Sequence, residues 1–262
     1  MTVRPDDLVR GFRALRLGSK PVIVHSSLKA FGEVEGGAGS VVNALLATFD
    51  SVLVPTFTYK TMLTPLTGPA DNAITYGSGI DRNRMAEFFT PDMPADRLVG
   101  VIPETLRRLP QARRSMHPIL SFAGVHADAA LISQQMDDPY APIGCQAKQG
   151  GWVLLLGVNH MVNTSIHYAE KLAGRRQFVR WALTPQGVRE CPSWPGCSMG
   201  FEAIAPDLAS YTQRIQIGEA CVRAVALNIL LDVVITRIRK DPLALLCQRE
   251  DCERCNQVRA VI

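Results

Sequence analysis

The sequence predicts an α/β fold, and three observations carry that expectation. The first fifty-odd residues alternate helix, strand, helix, strand, the order of a layered α/β protein. Further along, Trp152 to Leu156 is a continuous apolar run bounded by Gly151 and Gly157, the pattern of a strand buried on both faces. A chain of 262 residues, 47% hydrophobic and 20% charged, can also bury the core such a sheet needs.

Taken in order, the elements follow from local signals. Pro5 suits a helical first turn, Leu8, Val9, Phe12 and Leu15 form an apolar stripe, and Gly18 can end it. Residues 21–25 read as a short buried strand, followed by Ser26-Ser27-Leu28 and the glycine-rich stretch 36–40. That stretch opens a helix over 41–49, where free backbone N–H groups suit either an anion or a plain tight turn. It matches neither the dinucleotide fingerprint nor a P-loop. Residues 52–55 form a second strand. Residues 56–83 have little periodicity and many turn formers, and they read as a substrate-side flap. Helices are expected at 84–89 and 102–109, with an extended corner at 115–118, because Pro118 disfavours a helical His117. A strand at 120–125, a helix at 127–136 and a turn at 139–144 lead to the central strand. Beyond it Asn163 or Thr164 can cap a new helix. Residues 177–183 and 215–225 read as late strands and 227–238 as a helix. With no repeat and no linker, residues 1–262 are expected to form one continuous domain with a Cys-rich tail at 247–255.

Charge and composition exclude several function classes. The net charge of +4 is modest, and Arg107-Arg108, Arg113-Arg114 and Arg175-Arg176 are quickly interrupted, so they read as solvated helix ends and no nucleic-acid partner is expected. The opening carries Arg4, Asp6 and Asp7 with no apolar core, and the most hydrophobic segment, 222–238, contains Arg223, Asp232 and Arg237. No membrane partner is expected, the location is expected to be cytoplasmic, and the chain is read as a monomer or homodimer. Seven cysteines in such a protein suggest thiols or metal ligands rather than disulfides. Cys247, Cys252 and Cys255 come together in the tail, and Cys191 and Cys197 flank a Pro-Ser-Trp-Pro-Gly turn. One or both could complete a tetrahedral structural zinc site, and the expected set is Cys191, Cys247, Cys252 and Cys255.

The sharpest chemical signal follows the central strand. His167 and Glu170 are three residues apart on the predicted helix, so their Cβ atoms sit about 5–6 Å apart on one face. The carboxyl end of a buried strand is where α/β enzymes place chemistry, although a surface His–Glu pair has the same spacing. The chain has no Gly-x-Ser-x-Gly elbow and no cysteine in an activating context. A base without a protein nucleophile suits direct attack by a group of the substrate. His25 reads as a core residue, and His126 and His160 as solvated.

Several segments together resemble the aminoglycoside 3-N-acetyltransferase family. They are Val24-His25-Ser26-Ser27-Leu28, Gly36-Gly37-Ala38, Val54-Pro55-Thr56-Phe57-Thr58, Arg114-Ser115-Met116-His117-Pro118, Ser121-Phe122-Ala123, Tyr140-Ala141-Pro142-Ile143-Gly144 and Leu154 to Glu170. The likeness runs in order from about residue 20 to about 182, and Asn163-Thr164-Ser165-Ile166-His167-Tyr168-Ala169-Glu170 is its most specific piece. It implies a mixed central sheet flanked by helices and acetyl-CoA-dependent acetylation of an aminoglycoside at the 3-amino group of the deoxystreptamine ring, and hence antibiotic resistance. Another amine, such as a biosynthetic amino sugar or small metabolite, is the alternative. Under the resemblance His167 is the general base and Glu170 orients it. Ser26, Ser27, Leu28, Thr56, Ser115, His117 and Ser121 would line the coenzyme A groove. Backbone N–H groups near Ser26–Leu28 or Thr56 would hold the thioester oxyanion. A polycationic substrate calls for carboxylates, for which Asp71, Asp137 and Glu202 are the candidates.

Overall fold

A computed structural model describes residues 2–262. The chain runs α1 (Pro5–Ala14), β1 (Val22–Ser26), α2 (Gly37–Leu46), β2 (Val52–Pro55), β3 (Met62–Leu63), α3 (Ile80–Arg84), α4 (Val101–Arg107), β4 (Arg113–Arg114), β5 (Phe122–Val125), α5 (Asp128–Ser133) and α6 (Ala141–Lys148). It continues with β6 (Trp152–Leu156), α7 (Thr164–Leu172), β7 (Phe178–Thr184), β8 (Gly187–Trp194), β9 (Gln213–Ile217), β10 (Ala220–Ala226), α8 (Leu227–Lys240) and α9 (Glu253–Arg259). Seven strands make one mixed sheet in the order β4-β5-β2-β1-β6-β10-β9, and β3, β7 and β8 form a smaller sheet. In the large sheet β1 is parallel to β2 and β6, and the other pairings are antiparallel.

The apolar central strands are explained by the two-residue period of a strand between two helical layers. Ile23, Leu53, Val153 and Leu155 face one side and join a core with Ile166 and Ala169 of α7 and Leu230 and Val234 of α8. Val22, Val24, Leu154 and Leu156 face the other and join Leu8 and Phe12 of α1 and Val41 and Leu45 of α2. Each such side chain contributes about 1.5–3 kcal/mol on burial, so both faces favour the same register. That register pairs Val22 with Trp152 and Ser26 with Leu156, which brings the carboxyl ends of β1 and β6 level. Immediately beyond, Gly157 turns the chain with φ +67°, and a Cβ there would lie 2.2 Å from that of Ala30. Only glycine permits both the angle and the approach.

Several elements depart from the sequence expectation. Residues 139–144 contain the start of α6 rather than a turn alone, with Pro142 in its first turn. Residues 215–225 are a hairpin, β9 and β10, folded at Gly218 (φ +56°), where a Cβ would meet the Phe31 carbonyl oxygen at 2.5 Å. The helix expected at 84–89 ends at Arg84 instead. Over 56–83, Phe57 and Tyr59 face a cavity, but the later part packs on β7. Asn72 fastens it there, accepting from the Val179 N–H (2.8 Å) and donating to the Val179 carbonyl (3.0 Å). Among the described residues no helix is long and apolar enough to cross a membrane.

Candidate active site

At the carboxyl ends of β1 and β6 lies a cavity of about 820 Å3. Three elements converge on it: the turn after β1 (Ser26–Lys29), the amino end of α7, and the Trp194–Met199 loop that follows β8. The α7 start is fixed by Asn163, whose side-chain oxygen accepts from the Ser165 N–H at 3.1 Å. One turn further on, His167 reaches the cavity wall. Its ring stacks on Tyr140 with centroids 6.0 Å apart and meets the edge of Phe201 at 4.7 Å, so its plane is held by aromatic packing.

His167 Nδ1 lies 2.8 Å from Glu170 Oε2. The other carboxylate oxygen, Oε1, accepts from Arg175 Nη1 at 2.7 Å. Arg175 is itself pinned, donating from Nη2 to the carbonyls of Pro242 (2.8 Å) and Ala244 (2.7 Å). Glu170 is 1% exposed and Arg175 7% exposed, so this is a buried chain of imidazole, carboxylate and guanidinium. A guanidinium can only donate, which fixes Glu170 as an acceptor towards His167 and places the imidazole hydrogen on Nδ1. The ring nitrogen Nε2 is then uncommitted, and an arrangement of this kind can take a proton there while the carboxylate stabilises the resulting cation. Arg175 was expected to be a solvated helix end, and the structure corrects this. The carboxylate and two carbonyls supply the partners that a buried arginine requires.

Burial holds His25, His117 and His160 neutral. His25, on the β1 face that also carries Ile23, sits 3.2 Å from Thr164 Oγ1, and burial, followed by the nearby His160 and His167, lowers its pKa to about 3. His160 was expected in solvent but is 1% exposed. Its backbone N–H donates to Glu202 at 2.7 Å, its Nδ1 accepts from Asn163 Nδ2 at 3.2 Å, and burial lowers its pKa to about 4. His126 is exposed, as expected.

The structure sorts the remaining sequence candidates. Ser26, Ser27 and Leu28 line the cavity, and the buried Ser26 hydroxyl has no hydrogen-bond partner within the protein. Thr56, Ser115, His117 and Ser121 do not line it. Ser121 Oγ donates to the Thr56 carbonyl (2.9 Å), and the Phe122 N–H donates to Ser115 Oγ (2.8 Å), bracing the β2, β4 and β5 corner. His117 Nδ1 accepts from the N–H groups of Ile119 (3.2 Å) and Leu120 (3.0 Å), and burial lowers its pKa to about 4. The N–H groups of Ser27 and Thr56 are already donated to Leu156 (3.0 Å) and Ser121 (2.9 Å), so neither is free for an oxyanion. Of the acidic candidates, Asp71 and Asp137 are exposed away from the cavity. Glu202 pairs with Arg223 at 3.0 Å. The formal charges on the cavity wall are instead the cations Lys29 and Arg254. Sequence reasoning also missed Tyr59, Trp194 and the segment Leu98–Val101 on that wall, which has no chemical motif to mark it.

The cysteine group differs in one member from the expected set. Cys197, not Cys191, joins Cys247, Cys252 and Cys255. The Cys191 sulfur lies 3.8 Å from the Arg189 carbonyl instead, and burial pushes its thiol up to about 12.

The family model described as aminoglycoside 3-N-acetyltransferase matches residues 23–239. The chain is 34% identical over 225 residues to aminoglycoside N(3)-acetyltransferase III of Serratia marcescens, covering 72% of this chain and 80% of the relative. Among solved structures, the apoenzyme of aminoglycoside acetyltransferase AAC(3)-IVa superposes with a TM-score of 0.81 at 25% identity, covering 100% of this chain and 99% of that one. AAC-IIIb, solved in binary complex with CoASH, shares the fold with a TM-score of 0.74 at 22% identity over 92% of this chain and 97% of that one.

Proposed function

Because the chain belongs to the aminoglycoside 3-N-acetyltransferase family, we propose that residues 1–262 work as one domain that moves an acetyl group from acetyl-CoA to an aminoglycoside, at the 3-amino group of the deoxystreptamine ring. The observation that carries the reading is the His167–Glu170–Arg175 chain ending on a cavity wall. An ammonium group has no lone pair, so it must lose a proton before attack. In this reading His167 Nε2 takes that proton, and the amine nitrogen then bonds to the thioester carbonyl carbon. Collapse of the tetrahedral adduct breaks the C–S bond, the nitrogen gives up its second proton as the amide forms, and the coenzyme A thiolate leaves and takes up one of the two protons released, the other passing to solvent. Glu170 holds the Nδ1 hydrogen and stabilises the imidazolium during the step. The cations Lys29 and Arg254, the unpartnered Ser26 hydroxyl and the apolar wall of Phe57 and Leu120 fit a phosphorylated thioester with an apolar arm. AAC-IIIb was solved with that thiol product bound, which supports the same assignment.

One observation favours a second reading on the amine side. No carboxylate lines the cavity among the described residues, whereas each ammonium of a polycation needs oxygen acceptors. An amine of lower charge, such as an amino sugar or small metabolite, fits that wall better. Thiol release from acetyl-CoA, measured against aminoglycosides and monoamines at one acetyl-CoA concentration, separates the two. Turnover by a folded His167→Ala variant equal to that of the parent would remove His167 as the base.

A further inference from the structure

Apart from the His167–Glu170 pair, Cys197, Cys247, Cys252 and Cys255 form a close cluster of possible metal ligands among the described residues. Their sulfur atoms all lie within 4.8 Å of one another. They come from two segments far apart in sequence: Cys197 from the loop after β8, Cys247 and Cys252 from the stretch that leads into α9, and Cys255 from the first turn of α9. Cys197, Cys247 and Cys255 are at most 6% exposed, and Cys252 is half-buried. Thiols are weak hydrogen-bond donors and acceptors, so four of them gathered this closely satisfy one another poorly. Four Zn–S bonds of about 2.3 Å in a tetrahedron set sulfur–sulfur separations near 3.8 Å, the scale of this cluster.

The surroundings suit a metal thiolate. Cys252 precedes the first residue of α9 and Cys255 lies within its first turn, so a two-residue spacing turns both sulfurs to one side. The Met199 N–H donates to the Cys197 sulfur at 3.5 Å, a bond that favours charge on sulfur. A zinc ion held by four thiolates has a net charge of two negatives, and two arginines of this segment lie alongside. Arg254 donates to the Gly196 carbonyl at 2.9 Å, and Arg259 donates to the Cys247 carbonyl.

We propose that Cys197, Cys247, Cys252 and Cys255 form a tetrahedral structural zinc site that fastens the C-terminal segment to the loop after β8. The fastening has a consequence at the cleft. Trp194, Pro195, Gly196 and Arg254 all face the cavity, so the metal fixes the wall opposite the β1 turn. This consequence rests on the acyl-transfer reading of the cavity, whereas the metal site does not.

The test is made on the full chain purified under reducing conditions without chelator. Stoichiometric zinc by elemental analysis is expected, released as an organomercurial converts the four thiols to mercaptides. Exchange with Co2+ should give the visible absorption of a tetrahedral thiolate complex. Cys197→Ser and Cys252→Ser should each lose zinc and lower the melting temperature, while Cys191→Ser keeps the metal. A chain that holds no zinc and gives no cobalt spectrum after reductive loading overturns the proposal, as does a pair of disulfides among these four in freshly purified protein. These readings involve no acetyl-CoA, so they stand or fall independently of the acetyl-transfer assay.

Discussion

Changing Glu170 to glutamine tests the imidazole chain without changing its volume. In the parent, one carboxylate oxygen serves His167 and the other serves Arg175. Arg175 cannot withdraw, because Nη2 is tied to two carbonyls of the 242–244 segment. The glutamine must therefore present its one oxygen to Arg175 and its NH2 to His167 Nδ1. Nδ1 becomes an acceptor, the ring hydrogen moves to Nε2, and the nitrogen facing the cavity can no longer take a proton. Restoring the working tautomer would set two donors against each other in a buried site, at about 1–3 kcal/mol per unsatisfied group. Loss of the carboxylate's pull on the imidazolium adds to this. General-base catalysis is worth about 10²–10⁴-fold, and the equivalent carboxylate-to-amide change in a serine protease triad costs about 10⁴-fold. We expect kcat for thiol release in E170Q to fall by about 10³-fold. The KM for acetyl-CoA should hold, since Glu170 does not line the cavity. Nitrogen NMR of His167 should report the exchanged tautomer. A folded E170Q enzyme that keeps more than about a tenth of parental kcat would refute the chain of reasoning.

Three further outcomes follow from the same geometry. Arg175→Met leaves Glu170 buried without its countercharge and frees two carbonyls, so urea unfolding should show a loss of about 3–5 kcal/mol; a loss below about 1 kcal/mol would contradict the burial argument. Acid should destabilise the fold through His25 (about 3), His117 (about 4) and His160 (about 4). Each folded pKa lies below the unfolded value near 6.5, so their contribution is complete above that pH and is lost as pH falls towards 4. Each imidazole contributes a slope of about 1.4 kcal/mol per pH unit, so near pH 5 unfolding should take up about three protons from this set. A flat urea midpoint between pH 6.5 and 4.5 would show that these rings are not shielded. Lys29 is exposed on the cavity rim and pairs with no carboxylate among the described residues. Lys29→Ala should raise the KM for acetyl-CoA a few-fold at low salt and much less at high salt, with no change for a thioester lacking phosphates.

How much of this was legible beforehand depended on whether the signal was local. The β6 run, its bounding glycines and the three-residue spacing of His167 and Glu170 are local, and the structure carries them as read. Arg175 reads as a solvated charge because nothing near it in sequence shows the carbonyls at 242 and 244 that receive it. Ser115, His117 and Ser121 sit in a segment that resembles the family, yet their hydrogen bonds brace a corner beside the cavity rather than its wall. The hairpin at β9 and β10 was hidden because a single Gly218-Glu219 pair separates two runs of strand-forming residues, and only the fold shows that Gly218 must reverse the chain. Cys197 was preferred over Cys191 by the path of β8, which sequence spacing does not encode.

The grip of Arg175 on the 242–244 segment also bears on how the protein folds. His167 takes its orientation from Glu170, Glu170 from Arg175, and Arg175 from a stretch nearly seventy residues downstream. Contacts between residues so far apart carry a loop-closure cost and form after the local helices. The chain must therefore be made past Ala244, and the 242–244 segment docked, before the imidazole is set in its working position. Partial opening of that segment in the finished protein would release the imidazole chain while leaving the central sheet intact.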